Sequence, residues 1–227
     1  MIYRRAALGL FAKMPRAGSV KTRLVPPLTA EEAAALARVC LEETLRRFPP
    51  AIAVPWTLFL EGEPEGWVER LASIGGVALA DQGPGDLGHR LTRAFRALRA
   101  GGAERIVVIG SDSPTLDPAW IVSALELLES SDVVLGPARD GGYYLVGARV
   151  PADALFEGIP WGTDRVGAQT RIRSEEAGWS VASLPEWFDL DQPGDLIEAA
   201  ESAVECPALA SVLLPLLPRL RGVAPRR

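Results

Sequence analysis

One histidine and two cysteines in 227 residues remove several chemistries at the outset. His89 alone, with Cys40 and Cys206 far apart in the chain, cannot assemble a zinc centre, which needs three or four clustered protein ligands. The chain has no G-x-S-x-G nucleophile elbow, and a single histidine argues against a hydrolase triad. No apolar run reaches the roughly 18 residues that span a bilayer. The basic start, MIYRRAALGLFAKMP, is too short in its apolar part for a secretory signal and runs into Lys13 and Pro15 rather than a small-residue cleavage site. Positive charge is in deficit: 24 Lys and Arg against 29 Asp and Glu give a net charge of −5. That balance offers nothing to a nucleic-acid backbone or an anionic membrane. The two cysteines fall in apolar, helix-like stretches and read as free, buried thiols of a reducing, cytoplasmic compartment.

Against these absences one stretch stands out, Phe11–Leu24, FAKMPRAGSVKTRL. It follows a short apolar run, Ala6–Phe11, that reads as a buried first strand. Pro15, Gly18 and the cations Lys13, Arg16, Lys21 and Arg23 lie between that strand and Thr29–Glu32, the capping box of a helix. Glycine lets a backbone approach an anion, and free N–H groups with Lys and Arg neutralise it. The loop is therefore read as a phosphate site, although it has neither the G-x-x-x-x-G-K-[ST] nor the G-x-G-x-x-G form.

Strand and helix patterns alternate along the rest of the chain. Helices are expected over 30–47, stopped by Pro49 and Pro50, then over 65–73, from the loop at 81–90 to Gly101, over 118–129, from Thr163 as cap to Gly178, and from Gly194. Strands are expected over 52–60, where Pro55 either weakens the strand or places it near an edge, and over 77–80, 105–109, 132–135, 143–146 and 179–184. An apolar helical stretch at 208–220 is interrupted by Pro215 and Pro218. With no repeat and no low-complexity linker, the pattern predicts one α/β domain over 1–227, with 206–227 as a helical extension. Its sheet should be mostly parallel, with helices on both faces. Ligands of such sheets lie outside the carboxyl ends of the strands, and the loops 11–24, 110–116, 136–142 and 188–195 are the glycine- and charge-rich ones.

Asp112 stands just past the cleanest apolar strand. A lone carboxylate there suits Mg²⁺ or Mn²⁺, which takes its other ligands from phosphate and water. The alternative is a helix N-cap, for which Asp117 before Pro118 is better placed. Asp189 and Asp191, two apart on an expected extended segment, would share a face and need a cation between them. Asp191 equally fits a cap for the helix near Pro193. Asp140-Gly141-Gly142 is a tight turn, either a plain hairpin or a pocket wall, and Tyr143 and Tyr144 after it either stack on a ring or fill the core. Gln82, Gly85, Asp86, Gly88 and Arg90 form a second glycine-containing loop leading into a helix. His89 reads as a solvated helix residue and Trp161 as a pocket residue.

Taken together, FAKMPRAGSVKTRL, QGPGDLGHRL, GSDSPTL, GPARDGGYYLVG and IPWGTD resemble, in order and spacing, the nucleotide-diphospho-sugar transferase superfamily, with its GT-A-like, Rossmann-like fold. Within it they look like a bacterial family of small glycosyltransferases, some assigned to arsenosugar biosynthesis. The KTRL segment and the D-x-P strand tip are also similar to phospholactate guanylyltransferase and its molybdopterin-guanylyltransferase relatives. The resemblance covers roughly Ala6–Leu196. It implies that the loop carrying Gly18 holds the phosphates of a nucleotide donor through Lys13, Lys21 and Arg23, and that Gln82 and Gly85 approach the base or ribose. Asp112 would be the main ligand of Mg²⁺ or Mn²⁺, completed by Asp189 or Asp191. Gly141, Gly142, Tyr143, Tyr144 and Trp161 would face the acceptor or sugar. Catalysis would rest on Asp112, Lys21 and Asp140, with Asp140 or Asp86 as a base. The tip S-D-S replaces the D-x-D of many sugar transferases and is closer to the nucleotidyltransferases. The activity so implied is metal-dependent glycosyl transfer from a nucleotide-sugar to a small acceptor. The alternatives are nucleotidyl transfer from a nucleoside triphosphate to a small phosphorylated substrate, and nucleotide binding without turnover. The chain would act as a monomer or homodimer, and the C-terminal leucines, Leu213, Leu214, Leu216 and Leu217, would cover the core or form the dimer seam.

Overall fold

In the computed structural model, which describes residues 3–202 and 206–223, the first apolar run becomes β1 (Ala6–Lys13) inside a seven-stranded sheet. β1 pairs in parallel with β2 (Trp56–Glu61) on one side and with β4 (Arg105–Gly110) on the other. β3 (Val77–Asp81) lies outside β2. Beyond β4 come β6 (Tyr143–Ala148), β5 (Val133–Pro137) and β7 (Val181–Ser183), in the order β3-β2-β1-β4-β6-β5-β7. β6 runs antiparallel to both β4 and β5, and β7 is parallel to β5. The expected mixed, mostly parallel sheet is therefore present.

Successive residues of β4 feed opposite faces, as strand geometry requires. Val107 and Ile109 join Leu8, Leu10, Leu41, Phe48 and Leu125 in one core, beneath α1 (Ala30–Ala51), α2 (Gly66–Ile74) and α4 (Pro118–Leu127). Ile106 and Val108 join Leu91, Phe95 and Phe156 in the other, beneath α3 (Leu87–Ala100) and α5 (Ala152–Phe156). The strands are apolar on both sides because both sides are covered. α6 (Val166–Glu176) packs near β5 and β7. A third cluster joins Leu24, Leu36 and Cys40 to Leu196 of α7 (Pro193–Ser202), Leu209 and Leu213 of α8 (Pro207–Leu213), Leu216, and Leu220 of α9 (Leu217–Val223). The C-terminal helices thus cover the chain's own core through Leu213 and Leu216, while Leu214 faces outward. Residues 224–227 of the expected extension lie outside the described residues. None of the described helices is long and apolar enough to cross a membrane.

Four expectations are corrected. α1 does not stop at Arg47 but carries Pro49 and Pro50 to Ala51, where Ile52 N–H closes on the Phe48 carbonyl at 3.1 Å. The prolines leave the Leu45 and Arg46 carbonyls without their i+4 donors, and buried Phe48 and Pro49 hold this end of the helix against the core. β2 starts at Trp56 rather than at Ile52, and it lies second from the sheet edge. Pro55 precedes its first residue, and only the Pro55 carbonyl is used, by Leu8 N–H at 2.9 Å. Thr163 does not cap α6, which begins at Val166 after Arg165. The Thr163 hydroxyl donates to the Pro160 carbonyl (2.7 Å) and accepts from Arg165 N–H (3.3 Å). Residues 188–191 are not a strand: a single bridge joins Ala138 to Trp187, and Asp191 N–H turns back onto the Asp189 carbonyl at 2.9 Å.

The hairpin between β5 and β6 turns at Asp140–Gly142. Gly141 has φ +86°, and a Cβ there would lie 1.9 Å from the Asp164 carbonyl oxygen. Gly18, at φ +78°, has open space around the same position. Gly18→Ala should therefore cost about 1 kcal/mol, the left-handed term alone. Gly141→Ala should cost at least about 2 kcal/mol, because overlap adds to strain. Urea unfolding of the two variants checks this, and equal losses would contradict the close approach.

Candidate functional site

β1 is where the strand order reverses. The chain leaves it toward β2 and β3 on one side and later returns to β4 on the other, so the loops after β1 and β4 part and leave a crevice. A cavity of about 650 Å³ opens there. Its walls are the end of β1 (Phe11, Ala12, Lys13), the loop Ser19–Arg23, Gln82, Gly85–Leu87 and Arg90, the end of β4 with Ser111 and Asp112, Tyr143 and Tyr144, and Asp189 and Asp191.

Lys21 forms the floor. Its backbone is left-handed (φ 47°, ψ 38°) and leads into a 3-10 turn, Thr22–Leu24, whose Leu24 is fully buried. That anchor turns the Lys21 side chain inward, where it is 3% exposed. Its Nζ lies 2.5 Å from Asp112 Oδ1 and 3.2 Å from Asp191 Oδ1. Burial opposes the ammonium charge, but the carboxylate of Asp112, joined by that of Asp191, outweighs it and raises the lysine pKa above its ordinary value. Cys40, on the buried side of α1, has its thiol pushed up to about 12, chiefly by burial, and stays neutral.

The end of β4 is tied to the segment 188–191. Ser111 N–H donates to the Phe11 carbonyl (3.1 Å) and Leu190 N–H to the Asp112 carbonyl (3.0 Å). Ser113 Oγ is 2.5 Å from Asp189 Oδ1 and 3.1 Å from the Phe188 carbonyl. Asp189 is pushed up to about 7, by burial first and then by the charges of Asp112 and Asp191, against the Ser113 hydrogen bond. The two cap alternatives are not used. Asp117 caps α4 by accepting from Ala119 N–H (2.8 Å). Asp195 accepts from Gln192 N–H (2.8 Å) and Asp191 N–H (3.3 Å) at the start of α7. Asp112 and Asp191 both point their carboxylates at Lys21 instead.

The opposite wall is locked from behind. Gln82 is buried, and its Nε2 donates to the Ala12 (2.9 Å) and Phe59 (3.0 Å) carbonyls. Arg90 binds Glu61 (2.6 Å), the Gly85 carbonyl (2.9 Å) and Gln82 Oε1 (3.3 Å). Arg93 donates to the Gln82 carbonyl and, at 2.9 Å, to the Pro84 carbonyl. Gln82 therefore reaches the cavity wall, but its amide nitrogen is engaged by main chain, and the groups left facing a ligand are those of Gly85–Leu87. Asp86 caps α3, accepting from His89 N–H (2.9 Å) and meeting the imidazole at 2.7 Å, which leaves His89 exposed as expected.

The cavity thus brings together Lys13, Lys21, Arg23, Gln82, Gly85, Asp112, Tyr143, Tyr144, Asp189 and Asp191. Gly18, Asp140, Gly141, Gly142 and Trp161 are not among its walls. Asp140 Oδ1 accepts from Gly142 N–H at 2.9 Å and braces the turn. Trp161 stands edge-on behind Tyr143, with ring centroids 6.5 Å apart. Among the described residues no group of three or more His, Cys, Asp or Glu side chains is gathered in a metal-holding arrangement. Sequence reasoning passed over Arg93, which braces the nearby Gln82–Pro84 wall, and Glu61 and Ser113, whose partners lie farther away in the chain. It also passed over GPGDLG at 83–88, a G-x-G-x-x-G match between β3 and α3. Those glycines have local reasons: a Cβ at Gly88 would lie 2.4 Å from Trp161, and one at Gly83 or Gly85 would strike Arg93 or His89.

Asp189 gives this site a pH signature. Its folded pKa is raised, so between about pH 4 and 7 the native state binds more protons than the unfolded state, and this residue's contribution to stability falls as pH rises. In metal-free buffer Asp189→Asn should match the parent near pH 4 and melt several degrees higher at pH 8. A constant difference across that range in thermal unfolding would contradict the assignment.

A family model described as "Uncharacterized protein conserved in bacteria (DUF2064)" matches residues 44–163. The chain is 33% identical over 193 residues to the 3-phospho-D-glycerate guanylyltransferase of Phenylobacterium zucineum (strain HLK1), covering 79% of this chain and 84% of the relative. It is 28% identical over 190 residues to the 2-phospho-L-lactate guanylyltransferase of Halorubrum lacusprofundi, covering 78% and 77%. Among solved structures, a protein of Desulfovibrio desulfuricans G20 assigned as a nucleotide-diphospho-sugar transferase superposes with a TM-score of 0.85 at 27% identity, over 96% of this chain and 97% of the other. These likenesses agree with the superfamily expected from the motifs and make the protein transferase-like in the broad sense, akin to enzymes of nucleotides and nucleotide-sugars. The chain belongs to the bacterial DUF2064 family and carries the nucleotide-diphospho-sugar transferase fold.

Proposed function

We propose that this protein is a nucleotidyltransferase that joins the nucleoside monophosphate unit of a nucleoside triphosphate to a small phosphorylated acid. The observation that carries this reading is the Lys21–Asp112–Asp191 cluster at the floor of the cavity, where charged groups of both signs meet at the strand switch point. The guanylyltransferase relatives support the choice of donor and acceptor class. This ordering reverses the one the motifs alone suggested, which placed glycosyl transfer first.

In this reading an oxygen of the acceptor phosphate attacks the α-phosphorus, the Pα–O bond to the β-phosphate breaks, and pyrophosphate leaves with the bonding pair. A phosphate monoester has a second pKa near 6, so the attacking oxygen is already ionised at neutral pH and no side chain must take a proton from it. The reaction thus makes no demand on Asp140, which lies outside the cavity. Lys13 and Arg23 on the loop side of the cavity supply positive charge for phosphate oxygens, and Lys21 supplies a third. The residues present fit a hard divalent cation of the Mg²⁺ type, which uses one or two protein carboxylates and fills its shell from phosphate and water. Asp112 and Asp191, partly open to the cavity (45% and 34% exposed), would hold it, with Asp189 beside them. Such an ion supplies positive charge to the phosphate oxygens as the leaving group departs.

A second reading keeps the same site and changes the donor to a nucleotide-sugar, and the Desulfovibrio match favours it. The two release different products. With GTP, Mg²⁺ and 3-phosphoglycerate or 2-phospholactate, the proposed enzyme should release pyrophosphate, and Asp112→Asn should lower kcat/KM at least about 100-fold. Nucleoside diphosphate release from a nucleotide-sugar, with no pyrophosphate from any triphosphate, would overturn the nucleotidyl reading in favour of the second.

A further inference from the structure

Lys21 is engaged before any ligand arrives. Its Nζ is shared between Asp112 and Asp191 at 2.5 and 3.2 Å, and its side chain is 3% exposed, while both carboxylates remain open to the cavity. The ammonium therefore sits on the oxygen atoms that a divalent cation would need. The left-handed turn at Lys21 and the buried Leu24 hold the side chain in that place.

We infer that Lys21 is the resident counter-ion of Asp112 and Asp191, keeping a lone divalent cation off these carboxylates until a polyphosphate gives the ammonium a new partner. A cation that came alone would strip a buried ammonium of its compensation, which is far costlier than losing an exposed pair. A nucleotide polyphosphate removes that obstacle. Its oxygens can take Lys21, and the carboxylates then pass to the metal, so each charge keeps an opposite partner. Metal and nucleotide should consequently strengthen each other's binding by the same factor. The inference rests on the proposed function for the identity of the polyphosphate, but the counter-ion role itself does not need turnover.

The test is a Mn²⁺ titration of the full chain, with free Mn²⁺ read by electron paramagnetic resonance and folding checked by circular dichroism. Without nucleotide, Lys21→Met should bind Mn²⁺ at least tenfold tighter than the parent. Lys21→Gln, which keeps a donor at similar reach, serves as the second neutral variant should Lys21→Met not fold. With an α,β-methylene analogue of GTP, the parent should tighten for Mn²⁺ at least tenfold and the neutral variants by less. Equal Mn²⁺ affinity of the parent and the neutral variants without nucleotide would overturn the counter-ion role. Tighter binding by the neutral variants, with a parent indifferent to nucleoside triphosphate and nucleotide-sugar alike, would support that role while contradicting the proposed function.

Discussion

A buried ammonium cannot stand without compensation, and the site depends on how that is met. Lys21 is compensated by Asp112, 91 residues downstream, and by Asp191, 170 residues downstream. The loop after β1, the tip of β4 and the segment before α7 are thus held together by one charge. Removing both carboxylates would leave a buried ammonium unpaired, where lone charges are strongly disfavoured. The strand switch at β1 makes this meeting possible, because it opens a crevice between two adjacent parallel strands whose connections run to opposite sides.

The rest of the structure keeps that meeting point rigid. Main-chain bonds from Ser111 to Phe11 and from Leu190 to Asp112 hold the three segments in register, and Ser113 pins Asp189 beside them. Across the cavity Gln82, Arg90 and Arg93 engage the carbonyl oxygens of their own wall and of the ends of β1 and β2. Those carbonyls are thereby satisfied. In the proposed function such a rigid wall would favour anionic phosphate. The C-terminal helices contribute from behind, sealing α1 and Leu24 so that the Lys21 turn has a firm base.

Much of this was legible in the sequence because it depends on local pattern. The apolar runs of β1 and β4, the Thr29–Glu32 capping box and the proline-broken C-terminal helix follow from side-chain period and cap chemistry, and all appear in the fold. The place of Asp112, at the tip of β4 and on the wall of the crevice, followed from the apolar run before it. What failed was local pattern overridden by packing. Pro49 and Pro50 stay helical because buried Phe48 and Pro49 hold that end of α1 against the core. Thr163 gives up its cap to bond Pro160. Asp140 braces its own turn instead of facing the cavity. What was invisible depends on distance: nothing around Ser113 announces Asp189, 76 residues on, and nothing around Lys21 announces that its charge is already taken.

In the proposed function the crevice between β1 and β4 holds a nucleoside polyphosphate over Lys21 and Asp112. The most direct measurement is a crystal structure of the protein with Mg²⁺ and a non-hydrolysable nucleoside triphosphate. The account predicts phosphates between the 19–23 loop and Asp112, with the Lys21 ammonium on a phosphate oxygen instead of on Asp191. A nucleotide seated elsewhere, with Lys21 still bridging Asp112 and Asp191, would contradict it.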